Sequence, residues 1–339
     1  MGLTGVVLAG GDSRRFGSDK LEFPVDGRPM LGRVVEVMRT VAETVVVSVR
    51  DGATAQRLAP TVPAGVTWLE DRPDLGWAGP GAGMVTALGQ LSTEEILFVP
   101  GDMPWLTAEG LRALRREGKT AGATAAAPLW PDGRPEPLVQ WQRVAPWRGK
   151  LGTLPPRGGR GVRPTDLLRG GSAVLLAPVG SLSLDPRCFV NVNAVDDLQE
   201  PPDGRLDPGA RALLRSEEAG AAFWAAVAFA DAGMMREAAG WFLAEADLHH
   251  QVGLAHLEIH ALEDAIARTQ DAGRDAVDLG RRLAALRQEM DGATESTEKL
   301  DDRAGASAPA SEPGRPGGPS TQPPRERTAR TGGSAAPGR

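Results

Sequence analysis

"GVVLAGGDSRRFGSDKLEF", residues Gly5 to Phe23, is the stretch on which the fold turns. An apolar β-type run, Gly5–Leu8, breaks into two glycines and then into a cluster of charges. A strand that ends this way offers backbone N–H groups at its carboxyl end with no Cβ in the way, so phosphate oxygens can approach and be cradled. That edge is the general ligand position of open α/β sheets. Leu8, Ala9, Gly10 and Gly11 form the turn, Arg14 and Arg15 bring fixed positive charge, and Lys20 reaches a phosphate as a point charge. Leu21 rather than Ser or Thr follows Lys20, which excludes a Walker A loop, and no G-x-G-x-x-G fingerprint is present in this loop.

Outward from this loop, β-type runs alternate with amphipathic stretches to about Leu198, the pattern of an α/β domain with a mostly parallel, Rossmann-like sheet. The expected strands are Gly5–Leu8, Thr44–Val49, Val66–Glu70, Ile96–Val99, Leu138–Trp141 and Val174–Ala177. Met30, Leu31, Val34, Val35, Met38 and Val41 recur at helical spacing behind Pro29 and predict a helix. Residues 1–202 are read as this domain, and "EPPDGRLDP" from Glu200 to Pro208 as a linker. From 207 to 290 the chain is rich in Ala, Leu, Glu and Arg, with no proline beyond Arg211, and predicts a second, all-helical domain. Within it "AFADAGMMREAAGWFLAEADLH" reads as helix, turn at Gly233, helix, a hairpin with no second copy apparent. Trp224, Phe229, Trp241 and Phe242 are expected as helical core. Residues 291–339 hold too few large apolar side chains to offset chain entropy and are expected to form a disordered tail.

The balance of 38 Lys+Arg against 44 Asp+Glu, a net charge of −6 over 339 residues, argues against nucleic acid or an anionic membrane as partner. A lone cysteine, Cys188, and four histidines make a disulfide or zinc centre improbable and fit a reducing cytoplasm. The first apolar run is too short for a signal peptide and no run approaches a membrane span, so a soluble cytoplasmic protein is expected.

Further strand ends carry further candidates. "LFVPGDMPW" places Asp102 after Ile96–Val99, where a carboxylate can hold Mg²⁺, an ion that commonly takes one or two carboxylates and completes its shell with phosphate and water. An aspartate there would also be ordinary as an N-terminal charge on the next helix. "LEDRPD" puts Asp71 at another strand end, and "GPGAG" from Gly79 to Gly83 is either a nucleotide-facing loop or a plain helix entry. "FVNVNAVDDL" from Phe189 sets Asn191 and Asn193 on one side of an expected extended strand, unless they are turn formers. "PRGGRGVRP", Pro156 to Pro164, is a lid over an anionic substrate or a solvated loop.

Together these residues resemble the molybdenum cofactor guanylyltransferases. Leu8-Ala9-Gly10-Gly11, then Ser13, Arg15, Gly17, Asp19 and Lys20, is similar to that family's L-A-G-G-x-S-x-R-M-G-x-D-K signature, with Phe16 in place of methionine. The segment from Phe189 is similar to F-V-N-V-N-T-P-E-E-L, with Ala194 and Val195 replacing threonine and proline. The resemblance spans roughly the first 200 residues. It implies a sheet of the nucleotide-diphospho-sugar transferase type and transfer of GMP from GTP to the terminal phosphate of molybdopterin, with pyrophosphate leaving. It implies Asp102 as the ligand of Mg²⁺, Asp71 as a nucleotide contact, and Ser48 at the position of a family asparagine. Arg15, Lys20 and Asp102 are then the catalytic set, while Leu8, Ala9, Gly10, Gly11, Lys20, Ser48, Asp71, Asp102, Asn191 and Asn193 bind the nucleotide. Cys188 has no catalytic task. GTP and molybdopterin are the expected small-molecule partners, with molybdoenzymes or other cofactor-biosynthesis proteins as recipients. Two rivals stand beside this reading: a cytidylyl or sugar-phosphate nucleotidyltransferase, against which the paired Gly10-Gly11 argues, and a nucleotide-responsive scaffold whose helical half recruits partners.

Overall fold

The computed structural model describes residues 2–10, 20–154, 161–183, 185, 187–198 and 210–305, with side chains described as far as Asp291. Chain contacts divide it into two units, Met1–Glu298 and Lys299–Arg339.

The opening run forms β1 (Leu3–Leu8), buried along its whole length, as a strand covered on both faces of a parallel sheet must be. A two-residue hairpin follows, β2 (Pro24–Val25) and β3 (Arg28–Pro29), turning at Asp26 and Gly27 with φ of 50° and 77°. Two successive positive φ values make a type I′ turn, for which Asp-Gly is a favoured pair. The sequence reading passes over this hairpin, although the dipeptide is its usual mark. Behind Pro29 the predicted helix appears as α1 (Met30–Arg39), with Met30, Leu31, Val34, Val35 and Met38 all buried. Then come β4 (Thr44–Val49), α2 (Gly52–Leu58), β5 (Thr67–Glu70), α3 (Pro80–Gln90), β6 (Glu95–Pro100) and α4 (Ala108–Thr120). The second half contributes β7 (Ala125–Leu129), β8 (Gln140–Arg143), α5 (Pro164–Arg169), β9 (Val174–Pro178), the one-turn α6 (Val179–Leu182) and β10 (Leu213–Arg215). Four helices complete the described residues: α7 (Glu217–Asp231), α8 (Met235–Gln251), α9 (Ala255–Asp271) and α10 (Val277–Gly305).

Eight strands form one sheet in the order β10-β9-β7-β8-β6-β1-β4-β5. The ladders β6-β1, β1-β4, β4-β5 and β7-β9 are parallel, while β8 runs against β6 and β7, and β10 against β9. Alternate side chains along β1 enter different cores. Val7 packs with α1 and α4 residues such as Leu31, Val35 and Leu111, whereas Val6 and Leu8 pack with Met84 and Val85 of α3.

The second of these cores also takes in Phe223 of α7, Phe242 of α8 and Ala265 of α9. The region that the sequence sets apart as a domain from 207 to 290 therefore shares its apolar burial with the sheet, inside the unit Met1–Glu298. It is not all helical either, since β10 extends the sheet from within it. The expected linker, residues 200–208, lies outside the described residues. Of the apolar stripe, Phe242 is buried and Trp241 is 43% exposed. The helical hairpin turns at Gly233 as read, and two further turns follow at Gly253 and Gly273, all three glycines at φ of 70–75°. Helix–glycine–helix turns thus recur every 20 residues here, at Gly233, Gly253 and Gly273, where the sequence suggested a single hairpin. The helix α10 carries the backbone through Gly305, beyond the expected start of the tail at 291, and the first proline after it is Pro309. Residues 306–339 lie outside the described residues.

Candidate active site

The register of the parallel ladders sets Pro100, Leu8, Ser48 and Leu69 in one row across β6, β1, β4 and β5. The chain leaves each strand just beyond that row, so Asp102, Gly10 and Asp71 all emerge at the carboxyl edge. At about 4.8 Å per strand, the three spacings from β6 to β5 are on the order of 14 Å, a span suited to an extended nucleotide. Backbone hydrogen bonds tie the edge together: Gly101 N–H donates to Leu8 O (2.9 Å), Ala9 N–H to Ser48 O (2.8 Å) and Asp71 N–H to Val49 O (2.9 Å).

Lys20 forms an ion pair with Asp102 through Oδ2, although 82 residues separate them in sequence. Its ammonium also donates to Val192 O at 3.4 Å, and Val192 N–H donates to Asp102 O at 2.9 Å. The segment around Asn191 is thereby fastened to the first loop and to the aspartate. Asp102 Oδ1 and Asn191 Oδ1 are both buried without a hydrogen-bond partner. Unpaired buried oxygens are costly, and this pair matches the hard oxygen donors that magnesium prefers. Among the described residues no group of three or more acidic, histidine or cysteine side chains is gathered to hold a metal, at this edge or elsewhere, so an ion here would take its remaining ligands from phosphate and water.

At the other end, Ser48 is buried and hydrogen-bonds the Asp71 carboxyl. Burial pushes Asp71 up to about 6, with the Ser48 hydrogen bond and the charge of Arg50 pulling the other way. Gly83 of α3 lies against both groups: a Cβ there would stand 2.5 Å from Ser48 Oγ and 3.4 Å from Asp71 Oδ1. Gly10 is similarly close to its neighbour, since its Cβ would lie 3.4 Å from the Arg50 amide nitrogen. The stretch 79–83 is both a helix entry, with Gly79 capping α3 at φ 112°, and a wall of this site.

Not every expectation survives. The segment from Phe189 to Asn193 is irregular rather than an extended strand, and the two asparagines part company: Asn191 Oδ1 is buried, while Asn193 is exposed. Asp197 accepts the N–H groups of Asn193 and Ala194 at 2.6 and 2.8 Å, so a side-chain cap draws that backbone into a turn. Gly11 and Arg15, with the rest of residues 11–19, lie outside the described residues, as do residues 156–160 of the glycine- and arginine-rich segment. Cys188 is buried against Thr107 Oγ1, a structural position.

One residue escaped the sequence reading. Glu136, in the turn between β7 and β8, is 8% exposed and its N–H donates to Pro128 O at 2.8 Å. Burial pushes its carboxyl up to about 7, against hydrogen bonds from Leu138 and Trp130, and the Asp102 charge raises it further. The only trace in the sequence is an acid between two prolines, "PEP", behind the Asp132-Gly133 turn.

The carboxyl edge of the parallel strands thus gathers Gly10, Lys20 and an aspartate with an unpaired buried oxygen, and residues 5–169 match the nucleotidyltransferase family described as MobA-like NTP transferase domain. A curated relative from Methanothermobacter thermautotrophicus, named "Probable molybdenum cofactor guanylyltransferase", is 33% identical over 201 residues, covering 57% of this chain and 95% of the relative. One of the same name from Thermococcus gammatolerans is 34% identical over 140 residues, 40% of this chain and 67% of the relative. The chain belongs to the molybdenum cofactor guanylyltransferase family. Among solved structures, the molybdopterin-guanine dinucleotide biosynthesis protein A of Archaeoglobus fulgidus is 27% identical and covers 58% of this chain and 95% of its own, with a TM-score of 0.48. Helices α7 to α10 lie beyond the matched residues 5–169.

Proposed function

We propose that this chain transfers GMP from GTP to the terminal phosphate of molybdopterin, and that the edge between Asp102 and Asp71 is where it does so. The observation that carries this reading is the meeting of Lys20, Asp102 and the Asn191 segment beside the end of β1, with two buried oxygens unpaired. An oxygen of the acceptor phosphate attacks the α-phosphorus in line, the bond from that phosphorus to the bridging oxygen breaks, and pyrophosphate leaves. No side-chain nucleophile is required, so the protein's part is positioning and charge compensation. Backbone N–H groups after Leu8 receive the phosphates, with Lys20, and by family resemblance Gly11 and Arg15, holding the triphosphate. Asp102 and Asn191 would hold magnesium, which when bound offsets charge on the α-phosphate and the leaving group. Asp71 accepts hydrogen bonds from the N1–H and N2–H₂ edge of guanine, with Ser48 steadying its carboxylate. Asn193 stays at the rim.

Among the described residues no helix is long and apolar enough to cross a membrane. The net negative charge and the lone buried cysteine fit small-molecule substrates and a reducing, cytoplasmic setting, and by family resemblance the product passes to a molybdoenzyme. The test is mass spectrometry of the product formed from GTP, Mg²⁺ and molybdopterin, with CTP in a parallel reaction. A guanine dinucleotide and pyrophosphate are expected from GTP alone. A product from CTP and none from GTP would overturn the assignment.

A further inference from the structure

Among the guanidinium groups that fasten the helices beyond residue 210 to α5, Arg163 has backbone neighbours that touch the nucleotide wall. Arg163, at the start of α5, donates to Glu263 Oε2 (2.7 Å) and Asp264 Oδ2 (3.3 Å) and lies 2.9 Å from His260 Nδ1, all on α9. Burial lowers the pKa of His260 in spite of Glu263, whose Oε2 also lies 3.2 Å from the same Nδ1. The Arg163 N–H also donates to Asp166 Oδ2 at 2.9 Å, which fixes the backbone as well as the side chain. Behind it the anchor continues into a buried network, where Arg169 meets Glu245 (2.6 and 2.9 Å) and shares Asp264 (2.6 Å) with Arg163.

The two residues before Arg163 face the other way. A Cβ on Gly81 would lie 1.9 Å from Val162 O, and one on Gly161, at φ 71°, would lie 2.1 Å from the Trp77 ring. Gly161 and Val162 are thus seated directly on the turn and first helical residues of α3. Two residues further along α3, Gly83 lies against Ser48 and Asp71. Packed contacts therefore run without a gap from α9, through Arg163 and Val162, to Gly81 and on to the carboxylate assigned to guanine.

We infer that Arg163 is a positioning residue for the nucleotide, and that the C-terminal helices act as a buttress holding the α3 wall of the GTP site in its binding geometry. The inference rests on the proposed nucleotide site, yet it assigns a task to a region outside the matched residues 5–169. A forked guanidinium suits this because it holds three acceptors in fixed directions, whereas an ammonium is a single point charge.

The test uses the full chain with Arg163→Met, Arg163→Lys and Glu263→Ala, reading calorimetric Kd for GTP with Mg²⁺, the KM of each substrate, kcat and melting temperature. Arg163→Met is expected to raise Kd and KM for GTP roughly tenfold, the scale of losing preorganisation of one or two side chains, with kcat and the molybdopterin KM within about twofold. Arg163→Lys should recover part of the loss. Glu263→Ala, which leaves every sheet residue unchanged, should move the GTP constants in the same direction. Variants that melt earlier but keep wild-type GTP affinity would overturn the inference and leave the activity assignment standing. A wild-type chain that binds no GTP would overturn both.

Discussion

Replacing Asp102 by asparagine keeps the shape of the side chain and removes its charge. In the structure that charge faces Lys20 through Oδ2, and the other oxygen is buried and unpaired. Both side chains are largely shielded, 14% exposed for Asp102 and 18% for Lys20, so an effective dielectric of about 20 applies and the pair is worth ~4 kcal/mol in Coulomb energy at contact distance. In turnover the same carboxylate is assigned to the metal, and losing one preorganised charge in such a site typically removes about 3–4 kcal/mol of transition-state stabilisation. Asp102→Asn is therefore expected to lower kcat by roughly 10²–10³-fold. Binding of GTP without metal should move the other way. The mutation removes a negative charge that repels the triphosphate and frees Lys20 from its partner, so metal-free affinity should be unchanged or tighter. Pyrophosphate release gives the first quantity and calorimetry in EDTA the second. A kcat within about tenfold of wild type, or metal-free binding weakened along with turnover, would refute the placement of Asp102 at the metal.

Other expectations follow from particular contacts. Glu245→Gln removes the charge opposite Arg169, both side chains being fully buried, and breaking such a pair costs about 3–5 kcal/mol; at about 2 °C per kcal/mol for a chain of this size, calorimetry should show melting roughly 6–10 °C earlier. Asp71 titrates near 6 in the folded chain against an ordinary value of 3.8, so it binds its proton more tightly when folded and its ionisation costs stability as pH rises through that interval. GTP, whose guanine donors require the carboxylate, should therefore bind better as pH rises through about 6, and Asp71→Asn should abolish this dependence. Gly83→Ala places a Cβ 2.5 Å from Ser48 Oγ and should raise the KM for GTP by displacing that hydroxyl, an effect that Ser48→Ala in the same chain should relieve.

Features readable along the sequence are those set within a few residues. The strand ending in glycines, the helix behind Pro29 and the turn at Gly233 each declare themselves by period or by a residue with special backbone freedom. Where local preference and final state disagree, the sequence misleads. The run Ala125–Leu129 lacks β-branched residues and does not read as a strand, yet it is fully buried as β7 because its neighbours in the sheet supply the pairing. Asn191 and Asn193 show the reverse case, an alternating pattern overridden by the Asp197 cap.

What the sequence determined by itself was the strand running into glycines, the α/β alternation and the acids placed just beyond strand ends, because each depends on neighbours along the chain. Tertiary structure alone decided that Lys20 meets Asp102 across 82 residues, that burial costs Asp71 its acidity in spite of Ser48, that Glu136 is buried within reach of the Asp102 charge, and that α9 grips Arg163. The physical reason is that charge pairing and desolvation depend on which strands become neighbours, and the order β6-β1-β4-β5 is set by burial over the whole sheet rather than by any one segment.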